Sequence, residues 1–75
     1  MVIEEIKQIL AKQLRIEVTT IEDDSNIIED LGADSIDLVE MLMVIEENMD
    51  VVIPDEEAVK LKTVRNVADF IEQNT

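Results

Sequence analysis

Few residues in this chain are equipped for chemistry, and one of them stands apart. Ser35 lies in the run Gly32-Ala33-Asp34-Ser35-Ile36-Asp37, with carboxylates on both sides and the chain's one glycine just before it. The 75 residues include no Cys and no His. A nucleophilic triad needs a base beside its nucleophile, and zinc sites are built on thiolate or imidazole. Neither is available, and a single glycine cannot make a phosphate-cradling loop. Carboxylates abound, but a glycosidase-type pair needs a deep cleft that so short a chain can hardly enclose. Asp24-Ser25-Asn26 opens like a calcium loop, yet Glu29 stands at the required glycine and Ser35 at the required closing glutamate. The expectation is no specific metal site, only loose divalent binding, and no intrinsic catalysis. Any chemistry has to be borrowed.

Two roles compete for Ser35. Serine before an apolar helical run is commonly an N-cap, its oxygen accepting a free first-turn N–H. Asp34 can do the same and would leave the Ser35 hydroxyl pointing outward. A phosphodiester there would be favoured by the helix dipole and free amides. The flanking acids oppose it, so a basic enzyme would have to deliver the group.

The elements that must position Ser35 follow from periodicity. Ile3, Ile6, Leu10 and Leu14 form a helical stripe, predicting a first helix over about residues 2–15. Residues 15–34 have no sustained period and are rich in turn formers, including Thr19, Thr20, Asp23, Asp24, Ser25, Asn26 and Gly32. Ile16, Val18, Ile21, Ile27, Ile28 and Leu31 are expected to pin this long loop to the core. Leu38, Met41, Leu42, Ile45 and Met49 predict a second helix over about residues 35–49. Pro54 forbids helix at Ile53, and Asp55 is expected to cap a short helix through Lys60. Thr63 caps a last helix with Val64, Val67, Ala68 and Ile71 inward. The fold expected is all-α: a small four-helix bundle with a long first loop and a short third helix, one domain over residues 1–75.

Charge narrows the partners. Asp and Glu number 19 against 6 Lys and Arg, a net of −13. Nucleic acid and anionic membrane would be repelled. No base lies between Arg15 and Lys60. Away from the core stripe, the second helix carries Ile36, Val39 and Met43 among Asp37, Glu40, Glu46 and Glu47. These apolar residues either face the long loop or form a docking strip with an acidic rim beside Ser35. The N-terminus carries acid where a signal peptide needs base, and no apolar run is long enough to span a membrane. A cytoplasmic protein without membrane insertion is the expectation; a processed organellar form would read the same.

The segment Glu29-Asp30-Leu31-Gly32-Ala33-Asp34-Ser35-Ile36-Asp37-Leu38-Val39-Glu40 closely resembles the attachment segment of acyl carrier proteins of the bacterial fatty-acid synthesis type. Ile53-Pro54-Asp55-Glu56-Glu57-Ala58 and Thr63-Val64 to Phe70-Ile71 are similar to later parts of that family, so the resemblance spans essentially the whole chain. It implies a 4'-phosphopantetheine arm placed on Ser35 from coenzyme A by a phosphopantetheinyl transferase. It also implies a thiol carrying acyl chains as thioesters, and fatty-acid synthesis enzymes with basic patches as partners of a monomer. On the resemblance, Asp34, Ile36, Asp37, Val39, Glu40, Met43, Glu46 and Glu47 would meet partners. Leu42, Ile45, Met49, Ile53, Ala58, Leu61 and Val67 would line the acyl pocket. Asn48-Met49 departs from the family's usual acid followed by Phe, which would soften that pocket. Arg15 departs from a common helix-ending glycine. D-alanyl and polyketide carriers share the fold and arm. An acidic adaptor with Ser35 as a mere cap is the contrasting reading.

Overall fold

The first helix, α1, spans Val2–Leu14 and buries Ile6 and Leu10 completely. It ends because Arg15 turns into the left-handed region at φ 58°, which lets the Ile16 N–H reach the Ala11 carbonyl at 3.1 Å. That six-residue closure usually falls to glycine, which has no Cβ to strain. The helix thus ends one residue before the place where its pattern could have continued. An L-residue in this conformation costs about 1–2 kcal/mol. Part of that returns as the lower entropy of an unfolded non-glycine chain. Arg15→Gly is therefore expected to stabilise the fold by roughly 0.5–1 kcal/mol, read as a higher urea midpoint at unchanged m. An unchanged or lower midpoint would place the strain elsewhere.

A computed structural model describes residues 2–74. Beyond α1 come a 3₁₀ turn at Val18–Thr20 and three helices: α2 (Ser35–Met49), α3 (Asp55–Ala58) and α4 (Val64–Gln73). Among the described residues there is no strand; Asn26 and Thr63 make one isolated antiparallel bridge. The architecture is the all-α four-helix arrangement expected. Helix α1 packs against both α2 and α4. Met41 and Ile45 of α2 and Val64, Val67 and Ile71 of α4 close over Ile6 and Leu10, each at most 1% exposed. Aliphatic side chains and Met41 thus fill a core that contains no aromatic ring. Phe70, the only aromatic, packs at its edge.

The long loop is tied down at several points. Ile21 and Ile27 are buried in the core, and Ile16, Val18 and Leu31 are half-buried. Ile28 departs from the expectation: it is 43% exposed, while its neighbour Ile27 takes the inward position. The loop also caps the start of α4. Ser25 and Asp23 offer their carbonyls to the N–H groups of Val64 and Arg65 at 3.1 and 2.8 Å. Lys7 of α1 pairs with the Asp23 carboxylate, and Arg65 Nε donates to Asp24 at 2.7 Å. The Lys7 hydrogen bond, with the nearby Arg65 charge, holds the Asp23 carboxyl below the usual aspartate range. A lowered carboxylate stabilises the fold above its unfolded pKa, and the contribution is lost as pH falls through the lowered value. Three segments distant in sequence are thereby joined in one exposed ion-pair cluster.

The short third helix corrects one expectation. Its N-cap is Pro54, in extended geometry at φ −62° and ψ 150°, and Asp55 is its first helical residue. Proline needs no N–H to begin a helix, and its carbonyl accepts from Glu57 and Ala58, both at 2.9 Å. The regular helix stops at Ala58, and Val59 and Lys60 turn away instead of extending it. Thr63 caps α4 as expected, accepting from the Asn66 N–H at 3.1 Å.

Candidate functional site: an exposed serine on a capped helix

Ser35 is the first residue of α2, and it does not cap the helix. Asp34 does: its Oδ1 accepts the Asp37 N–H at 2.8 Å, while Asp37 Oδ2 accepts the Asp34 N–H at 3.3 Å. This reciprocal capping box satisfies two first-turn donors without the serine. The Ser35 side chain is exposed and hydrogen-bonds to no described residue. The choice between Asp34 and Ser35, open in the sequence, is settled by which oxygen points back at the helix.

The approach to Ser35 is fixed by Asn26, which sequence reasoning counted only as a turn former. Its side-chain oxygen accepts from the N–H groups of Ile28 and Glu29 at 3.0 and 2.9 Å. Its own N–H donates to Asp30 Oδ2 at 2.7 Å. The result is a capped single turn over residues 27–31, closed by Gly32 at φ 78°, whose N–H reaches the Ile28 carbonyl at 3.2 Å. Ile27 donates to the Lys62 carbonyl at 2.9 Å and Ala33 is buried. Both ends of this turn are therefore anchored, and Asp34 and Ser35 emerge from it at a defined place. The spacing Asn26 to Asp30 was the available signal.

The expected partner residues divide into two groups. Ile36, Val39 and Met43 are 68%, 55% and 56% exposed, so they do not face the long loop; Glu40 and Glu47 are exposed beside them. Asp34 and Asp37 serve the capping box, though Asp34 remains exposed. Glu46 differs from the expected free rim acid. It is half-buried, and its Oε2 accepts the Ile53 N–H at 3.0 Å, tying α2 to the segment before α3.

The residues expected to line one pocket are only partly brought together. Leu42, Ile53 and Ala58 line a cleft of about 190 Å³ with Val39, Met43, Glu46 and Asp55. Ile45 and Val67 are buried in the core and do not line it. Leu61 lines a second cleft of about 230 Å³ with Ile28, Leu38 and Val59. Met49 borders a crevice with Glu5, Gln8 and Ile9 of α1. The expected pocket residues that reach an opening are thus divided among three.

A protein-family model described as the phosphopantetheine attachment site matches residues 4–71. The chain is 48% identical to an acyl carrier protein of Clostridium acetobutylicum over 75 residues, covering 100% of this chain and 97% of that protein. It is 45% identical over 71 residues to an acyl carrier protein of Helicobacter hepaticus, covering 95% and 93%. The chain belongs to the acyl carrier protein family. A solved structure of the acyl carrier protein from Enterococcus faecalis superposes with a TM-score of 0.83 at 34% identity, covering 99% of this chain and 94% of that one. The cofactor of this acyl carrier is 4'-phosphopantetheine. The site's residues fit it: an unengaged, solvent-facing hydroxyl at the N-terminus of a 15-residue helix.

The carrier's acid has a cost in repulsion. Residues 22–57 contain no Lys or Arg, and among the described residues no group of three or more acids is arranged to hold a metal ion. Screening at physiological ionic strength shortens the reach of these charges to about 8 Å. Added salt at neutral pH is expected to raise the melting temperature. Mg²⁺ or Ca²⁺ is expected to raise it more than Na⁺ at equal ionic strength. Equal melting temperatures throughout would mean that the acid is too dispersed to matter.

Proposed function

We propose that Ser35 is the residue that carries 4'-phosphopantetheine, and that the protein bears growing acyl chains on that arm for enzymes of fatty-acid synthesis. The observation that carries this reading is the Asp34–Asp37 capping box, which leaves the Ser35 hydroxyl exposed and unbonded on the first turn of α2. The arm supplies a thiol that forms thioesters. Ser35 supplies the oxygen that attacks the pantetheine-bearing phosphorus of coenzyme A; the diphosphate P–O bond breaks and adenosine 3',5'-bisphosphate departs. The transferase supplies the base that takes the hydroxyl proton. Catalysis as a whole belongs to partners, and the chain itself is a non-catalytic carrier.

Those partners meet an acidic, partly apolar surface. Asp34, Asp37, Glu40 and Glu47 attract basic patches, and Ile36, Val39 and Met43 supply contact area once docked. The cleft at Leu42, Ile53 and Ala58 is the entrance for an acyl tail, with Ile45 and Val67 in the core and Leu61 and Met49 at neighbouring openings. A core of Leu, Ile, Val and Met admits it by side-chain movement, since Met in particular adapts to irregular space. Residues 1–75 act as a single acyl-carrier domain, monomeric and cytoplasmic. No described helix is long and apolar enough to cross a membrane. The test is intact mass after incubation of the apo chain with coenzyme A and a phosphopantetheinyl transferase. One arm is expected, mapped to the Ser35 peptide; no gain in mass, or an arm mapped to Ser25, would refute the assignment.

A further inference from the structure

The docking strip contains the most accessible thioether among the described residues. Met41 is 1% exposed, Met49 is half-buried, and Met43 is 56% exposed. Met43 stands one turn from Val39, which is 55% exposed, and two turns from Ile36, which is 68% exposed, so the three form one apolar row. It also borders the cleft lined by Leu42, Ile53 and Ala58. Oxidation of this sulfur would alter one end of the apolar row and leave the core alone. We propose that Met43 is a site of reversible oxidation by hydroperoxides, and that its sulfoxide obstructs partner docking on α2. The docking half rests on the partner surface proposed above.

The step balances simply. The thioether sulfur gives two electrons to the peroxide O–O bond, one oxygen becomes the sulfoxide, and the other leaves as water when the oxidant is hydrogen peroxide. A neutral hydroperoxide is not repelled by an acidic face, whereas an anionic oxidant would be. The new oxygen is a strong acceptor, and among the described residues lining that cleft none carries a positive charge to donate to it. The charged groups along that face and around the cleft are Glu40, Glu46, Glu47 and Asp55, all carboxylates. The sulfoxide therefore depends on water. An apolar partner surface landing on it strips that water and leaves an acceptor unpaired. The same position, outside the core, means that the folded state tolerates the change.

The experiment treats the apo chain with hydrogen peroxide, maps oxidised peptides by mass spectrometry, and measures arm transfer from coenzyme A by a transferase. Met43 is expected to oxidise at least about tenfold faster than Met41, as its access to solvent dictates. Transfer to the oxidised chain is expected to slow about tenfold, equivalent to about 1.4 kcal/mol. The melting temperature is expected to hold, and methionine sulfoxide reductase to restore the rate. Met43→Leu, whatever its own starting rate, is expected to keep that rate through the same peroxide dose. Prior oxidation of Met41 or Met49 would overturn the site. Unchanged transfer with Met43 fully oxidised would overturn the obstruction, as would an equal loss in Met43→Leu. A chain that takes no arm even before peroxide overturns the attachment reading and the docking half with it. Failure confined to the oxidised state leaves Ser35 standing.

Discussion

Ser35→Ala is expected to fold like the parent chain and to gain no arm at all. The capping box belongs to Asp34 and Asp37, so removing the serine hydroxyl takes away no helix cap. Ala is the best helix former, and Ser35 is exposed at the first helical position. The stability change is therefore expected to stay within about 0.5 kcal/mol of zero. Loading, by contrast, needs the oxygen that this substitution deletes. Intact mass after treatment with coenzyme A and transferase is expected to show apo protein only, beside a melting curve matching wild type. An arm on the mutant would shift suspicion to Ser25, the only other serine. Ser25 is a poor candidate on geometry: it is 8% exposed and its Oγ accepts the Glu22 N–H at 2.9 Å.

Glu40→Lys is expected to slow loading roughly tenfold at low salt, within the usual range of electrostatic steering. Glu40 is exposed on the strip that begins at Ser35, and no base lies within residues 22–57. A basic partner approaching that surface meets a positive charge in place of a negative one. The unscreened reach of charge is about 30 Å at 0.01 M salt and about 8 Å at 0.15 M. The defect is therefore expected to shrink as salt rises. Folding survives, because Glu40 is exposed and makes no ion pair with a described residue. Met43→Ala is the matched control for the apolar half. It is expected to weaken docking mainly through faster dissociation, with little change in salt dependence. Wild-type loading of Glu40→Lys at low salt would remove the electrostatic element. A stability loss of several kcal/mol in Met43→Ala, the size typical of core truncations, would place Met43 in the core.

The sequence by itself determined the helices and the local run that presents Ser35. Helix α2 runs from Ser35 to Met49 as its stripe predicts, because apolar periodicity and capping act over a few residues and need no tertiary contact. Pro54 and Thr63 punctuate the second half by equally local rules. The Asp34-Ser35-Ile36-Asp37 run was legible for the same reason. What only the tertiary structure decided involves pairs that no local pattern relates. Arg15 accepts a left-handed conformation so that the chain can turn back and bury Ile21 and Ile27. The carbonyls of Asp23, Ser25 and Lys62 meet N–H groups across the loop–α4 junction, which anchors the approach to Ser35. Asp34, not Ser35, caps α2, since two oxygens one residue apart are equivalent in sequence but not in direction. Glu46 is drawn to the Ile53 N–H, a group without a helical partner because the left-handed Asp50 ends α2 before it. The residues expected to line one pocket are divided among separate openings; Leu42 and Met49, two turns apart on α2, meet different neighbours. Periodicity reports which way a side chain points, and only packing decides what it meets there.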